Sequence, residues 1–180
     1  IYAFSLGTMF PRLDDIQTSL AIDKAELGFL LLCIPLGLQV TLVFADRLVR
    51  AIPLKNIICI GIPSICFMQF AAVAMNQIAF FAFFLIVCGA FVAVVEVAVN
   101  LEADRVEHAM GSRIMNRSHA FWSIGFFLAA VVGALFSQFK VMLEIHFLLI
   151  CLISFVTSKI IFEDYVVASP RHSNLKKIAK

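Results

Sequence analysis

The stretch Phe91 to Gly125, FVAVVEVAVNLEADRVEHAMGSRIMNRSHAFWSIG, decides how the chain is read. It opens as an apolar run with one ionisable residue, Glu96, inside it. A charge-rich turn follows, and a second apolar run opens with His119 and Trp122. A carboxylate at the centre of a bilayer costs about 2.5 kcal/mol or more, so one kept inside a membrane-type helix is a functional candidate. Glu96, Asn100 and Asp104 recur at i, i+4 and i+8 and share one helix face, which Gly89 and Val92 extend inward. With the apolar span ending near Glu102, Glu96 lies about 9 Å inside it at about 1.5 Å per residue. Such a stripe faces a bundle interior or a water-filled cavity rather than lipid. Its two readings are a proton-titrating or ligand-binding carboxylate, and a structural one that locks its helix to a neighbour. Across the turn, Ser118, His119, Trp122 and Phe126 share a second face. His119 is close in depth to Glu96, so a contact across the hairpin is expected. An imidazole changes charge near neutral pH, and the pair can hold or relay a proton. Trp122 is placed either to stack on a ligand ring or to pack.

Working outward, the composition makes the chain membranous. Of 180 residues, 62% are apolar and only 14% are charged. A soluble domain has about 45–50% apolar and about 25% charged residues. A net charge of +2 gives no reason to expect a nucleic-acid partner. The five cysteines, Cys33, Cys59, Cys66, Cys88 and Cys151, lie in apolar runs without a C-x-x-C spacing, and read as small buried hydrophobes. No H-E-x-x-H, G-x-S-x-G or paired metal-ligand set occurs, so neither an enzyme nor a metal or other cofactor is expected.

Apolar runs predict an all-α, polytopic helix bundle with helices over about 1–16, 25–49, 55–75, 78–109, 117–139 and 143–162, the first of them shortened. Spanning takes about 20 residues, so the chain is expected to start inside its first helix. Residues 163–180 read as a basic tail or the start of a linker. Asp23 is the expected N-cap of the second helix, with Glu26 at N3 in a capping box. Gly61 and Pro63 predict a kink in the third helix rather than a break. Gly125 and Gly133 allow close helix approach in the fifth. Gln39, Thr41, Gln69, Ser154, Thr157 and Ser158 can join helices by hydrogen bonds, with Gln39 kept as a cavity candidate. His146, near the start of the sixth helix, is expected at the interface. One set of loops and the tail hold Arg47, Arg50, Lys55, Arg105, Arg113, Arg117, Lys159, Arg171, Lys176, Lys177 and Lys180, eleven cations, against Arg12, Lys24 and Lys140 on the other side. The bias places both termini in the cytoplasm.

Three stretches resemble the N-terminal six-helix half of a major facilitator superfamily transporter, nearest the fucose-permease-like bacterial branch. They are PRLDDIQTSLAIDKAELGFLLLCIPLG, EVAVNLEADRVE with its E-x-A-x-N, and GSRIMNRSHAFWSIG. The resemblance implies alternating access between two six-helix halves in a bacterial inner membrane, with the substrate near the midplane. It implies proton coupling at Glu96 and pocket lining by Asn100. The family's polar pocket positions on helix 5 fall on His119 and Trp122, which replace amide-type residues. The superfamily signature of loop 2–3, G-x-x-x-D-R-x-G-R-R, is degenerate here. In one frame Asp46 takes the first Gly, Arg50 the Asp and Pro53 the second Gly; in the other Asp46 and Arg47 match the Asp-Arg pair and Leu42 and Val49 take the glycines.

The expected function is therefore proton-coupled transport of a small polar solute, with Glu96 titrating and Asn100, His119, Trp122 and Gln39 lining the cavity. The expected partners are the lipid bilayer, the solute with its protons, and a second six-helix half from the rest of the chain or from another copy. The alternative is a truncated or split-gene membrane protein with no transport activity of its own.

Overall fold

Pro11 and Pro35 decide where the first two rods of the bundle break. The structure, a computed structural model, describes residues 1–169; the expectations for Pro170, Arg171, Lys176, Lys177 and Lys180 lie outside the described residues. Proline has no N–H to donate to the preceding turn. The first rod is accordingly α1 (Tyr2–Met9), a 3-10 turn (Phe10–Arg12) and α2 (Leu13–Leu20). It continues past the expected end near Ile16 and stops where Ala21 turns left-handed, with Ile22 N bonded back to the Gln17 carbonyl at 3.2 Å. The second rod is α3 (Lys24–Leu31) followed by α4 (Cys33–Ala51). Pro35 leaves the Leu31 carbonyl without its usual donor, and the register slackens at Leu32, whose N–H bonds to Phe29 instead. The Asp23–Glu26 capping box closes both ways, at 2.8 and 2.9 Å.

The remaining rods are α5 (Leu54–Met75), α6 (Ile78–Met110), α7 (Met115–Gln138) and α8 (Leu143–Phe162). Among the described residues there is no strand. Pro63 sits inside α5 without ending it. Five rods, Lys24–Ala51 and α5 to α8, are long and apolar enough to cross a membrane. The chain is thus a polytopic helical bundle.

Glycines set the closest crossings. Cβ atoms added to Gly37 on α4 and Gly89 on α6 would run into the carbonyls of Ile86 and Ile34, so the two backbones touch reciprocally. Gly7 on α1 and Gly133 on α7 do the same against the Phe126 and Thr8 carbonyls, at 2.5 and 2.6 Å. Close backbone approach through small residues is how membrane helices gain packing contact without a hydrophobic drive. The first rod packs on α7, the second on α6, and α5 on both α6 and α8.

Each end of the bundle has its own polar ties. At one end Lys55 Nζ donates to the Glu163 carbonyl at 2.9 Å, while Glu102 accepts from the Tyr165 hydroxyl and from Ala168 N (2.8 Å). At the other, Ser19 bonds Asn76 at 2.8 Å and Ser137 bonds Asp15 at 2.9 Å. Among the described residues seven Lys and Arg belong to the first end and three to the second (Arg47, Arg50, Lys55, Arg105, Arg113, Arg117, Lys159 against Arg12, Lys24, Lys140).

Candidate functional site

The hairpin between α6 and α7 aligns the two candidate faces. α6 ends in a left-handed Gly111, whose N–H bonds the Glu107 carbonyl at 3.0 Å. The Glu107 carboxylate then accepts from Ile114 N and Met115 N at 2.9 and 3.0 Å, satisfying two of the free donors that open α7. The charge-rich turn thus serves as the cap of the next helix.

Inside this hairpin lies a cavity of about 200 Å³ lined by Glu96, Val99 and Asn100 of α6, Ser118, His119, Phe121, Trp122 and Gly125 of α7, and Ile1, Tyr2 and Ala3 at the start of α1. Four of the five residues singled out from the sequence, Glu96, Asn100, His119 and Trp122, meet here. Gln39 does not; it lies on the exposed face of α4.

Glu96 is half-buried and engaged at both oxygens. Tyr2 Oη donates to Oε2, and Asn100 Nδ2 to Oε1 at 3.3 Å. The Tyr2 bond thus ties Glu96 of α6 to α1, and the Asn100 bond ties it to its own helix. The expected Glu96–His119 contact is not made: His119 is exposed toward the cavity and Tyr2 occupies the carboxylate. Trp122 stacks on Phe126 at 5.2 Å and 19°, and meets Tyr2 at 6.4 Å and 59°. It also lines a second, apolar cavity of about 230 Å³ with Leu6, Met9, Phe10, Leu31, Ile34, Pro35 and Phe126. The indole is thus the wall between a polar chamber and an apolar one. A larger groove, about 330 Å³, runs along Leu48, Ile52, Ile57, Ile60, Phe91 and Val94 but holds no ionisable side chain.

Asp46 and Arg50 form an exposed i,i+4 ion pair at 3.0 Å. Such a pair contributes about 0–1 kcal/mol. Arg47 beside it is exposed. Among the described residues no group of three or more His, Cys, Asp or Glu could hold a metal ion.

Several polar residues of consequence were not singled out. Tyr2, Ser5, Thr8 and Arg12 share one stripe of the first rod, a spacing visible in the sequence. Each bonds a different depth of the bundle: Tyr2 to Glu96, Ser5 to Gln69, Thr8 to His146 at 2.7 Å, and Arg12 to the Val141 carbonyl at 2.6 Å. His146, expected at the interface, is instead fully buried, because Thr8 and Arg12 reach across from the first rod to receive it. Glu102 is a buried carboxylate, on another face of α6 from the half-buried Glu96. Burial, then the Glu102 hydrogen bond and charge, push the Tyr165 hydroxyl above its ordinary pKa.

Among curated proteins the chain is similar to an uncharacterised transporter of Sinorhizobium fredii, 31% identical over 145 residues, which is 79% of this chain and 38% of that protein. It is also similar to an uncharacterised MFS-type transporter of Yersinia pestis, 28% identical over 134 residues, 74% of this chain and 34% of that protein. No family model and no solved structure matches it. The chain spans less than two fifths of the length of these relatives, and over about three quarters of its own length it is a distant homologue of MFS-type, that is major facilitator superfamily, transporters.

Proposed function

We propose that this chain is the N-terminal six-helix half of a bacterial inner-membrane transporter that moves a small polar solute together with protons by alternating access. The observation that carries the proposal is Glu96: a carboxylate within the bundle, tied to α1 by Tyr2 and to its own helix by Asn100, and open to a cavity with His119 and Trp122. Its protonation is the event that frees α1. His119 and Asn100 supply polar contacts, and Trp122 supplies a flat apolar surface. A second six-helix unit closes the other side of the path. The lysine and arginine bias supports both termini in the cytoplasm. The distant transporter relatives support transport rather than catalysis.

The test is uptake by the full-length protein in liposomes under an imposed pH gradient, against a panel of sugars, amino acids and small organic acids. The expected result is accumulation of one class in the wild type and loss of gradient-driven accumulation in Glu96→Gln, with normal insertion of both. Accumulation in Glu96→Gln with an unchanged dependence on the gradient contradicts the assignment of Glu96. No uptake of any solute by the wild type favours a protein without transport activity.

A further inference from the structure

Near the middle of the first rod, away from Glu96, a second titratable group is enclosed in the bundle. His146 of α8 is fully buried, and Arg12, in the turn after α1, is 2% exposed. Arg12 Nη2 donates to the Val141 carbonyl at 2.6 Å, Nε lies 2.7 Å from Asp15 Oδ2, and Nη1 approaches His146 Nδ1 at 3.5 Å. Thr8 Oγ1 lies 2.7 Å from His146 Nε2. A guanidinium has donors and no acceptor, so the ring nitrogen it faces must present a lone pair. Nδ1 therefore carries no proton. Nε2 carries it and donates to the Thr8 hydroxyl oxygen. The imidazole in this arrangement is neutral, with its tautomer fixed from both sides.

A proton added at Nδ1 sets N–H against N–H and brings two cations to 3.5 Å out of water. Among the described residues no further anion faces the ring to offset this. Asp15, from α2, is engaged by Arg12 and by Ser137 of α7. The α7 side presents the edge of Phe136 at 4.6 Å, and α8 itself presents Phe147 at 5.2 Å. The titratable residues of α5, which packs along α8, are Lys55 at its far end and Cys59 and Cys66. Glu144 lies two residues earlier on α8, near the opposite side of the helix, and Lys140 is exposed in the preceding loop.

We propose that His146 is a proton-binding site whose occupation expels Arg12 and loosens the joint between the first rod and α8. From Tyr2 to Arg12 the rod extends about 15 Å at about 1.5 Å per residue. The rod is thereby held at two heights, at its start by Glu96 and near its middle by His146. The inference concerns the joint alone and stands whether or not the chain transports.

The experiment is nitrogen NMR of histidine-labelled protein in lipid nanodiscs, paired with thermal unfolding across pH. Replacing His108, His119 and His172 by Gln leaves His146 as the one histidine of the four. Its spectrum is expected to show the Nε2–H tautomer at neutral pH. On acidification, the imidazolium signal and a fall in the thermal midpoint are expected together, at the same pH. The sign follows from the geometry: a protonated ring sets a cation against the Arg12 guanidinium, so the joint weakens as the imidazolium forms. His146→Gln offers an amide donor to Thr8 and an acceptor to Arg12 but cannot titrate, and at least half of that acid sensitivity should vanish. An Nδ1–H tautomer at neutral pH overturns the proposal, as do identical pH profiles in the wild type and His146→Gln. If His146→Gln does not fold, the tautomer measured in the single-histidine protein still decides.

Discussion

Glu96 and Tyr2 carry the account at the scale of the residue. The Tyr2 hydroxyl ties Glu96 to another helix, whereas Asn100 lies on the same helix, so Tyr2→Phe should separate anchoring from the carboxylate's own role. Hydrogen bonds between membrane helices contribute about 0.6 kcal/mol on average and up to about 1.7. Tyr2→Phe should therefore cost about that much in a detergent or nanodisc unfolding measurement, without abolishing the fold. In a transport assay it should slow gradient-driven uptake without abolishing it, because the Glu96 carboxylate remains while its tie to α1 is gone. An uptake rate identical to the wild type would remove Tyr2 from the coupling site. The sequence showed Glu96, Asn100, His119 and Trp122 through helical spacing alone, since each pair lies within one helix or across one short turn. It did not show Tyr2 or the burial of His146. Those depend on register between rods separated by 94 and 138 residues, which local spacing does not encode. The expected Glu96–His119 pair failed for the same reason: the sequence shows depth along the membrane but not which neighbour reaches the carboxylate first.

At the scale of the element, the α4–α6 crossing rests on Gly37 and Gly89. A side chain at Gly89 meets the Ile34 carbonyl and the Leu38 backbone rather than a flexible tip, so the helices must separate. Gly89→Leu should destabilise the protein by about 1–3 kcal/mol, the usual cost of overpacking. Gly28, exposed on α3, has nothing within 4 Å of an added Cβ. Gly28→Ala should therefore stabilise by about 0.4–1 kcal/mol through the unfolded chain. Thermal unfolding of the two variants in one detergent checks the contrast, and equal effects would contradict the crossing. The capping box at Asp23 and Glu26 was legible because both partners lie within four residues. The break at Leu32 was also written in the sequence, in Pro35, whose missing N–H acts one turn earlier. The apolar length of 25–49 predicts a continuous second rod, and the missing donor instead divides it into α3 and α4.

For the whole molecule, the sequence alone supplied the helical class, since long apolar runs leave the backbone no other way to satisfy its hydrogen bonds in lipid. Their mutual arrangement came from the glycine crossings and the polar stripe of the first rod. Orientation is the property still to be measured. Ser112→Cys lies in the α6–α7 turn and Lys140→Cys in the α7–α8 loop, at opposite ends of the bundle. In intact cells an impermeant thiol reagent should label Lys140→Cys, and should reach Ser112→Cys only after permeabilisation. The reverse pattern would invert the topology and place the cation-rich end outside.

The claim on which the others depend is that Glu96 carries the coupling proton. Its most direct measurement compares two transport modes of the full-length protein in liposomes: accumulation driven by a pH gradient, and exchange of labelled for unlabelled solute at equal pH. For Glu96→Gln, exchange should persist at a rate near the wild type, since rocking with bound solute needs no proton release, while gradient-driven accumulation disappears. Accumulation in Glu96→Gln that equals the wild type and follows the same gradient would contradict the account.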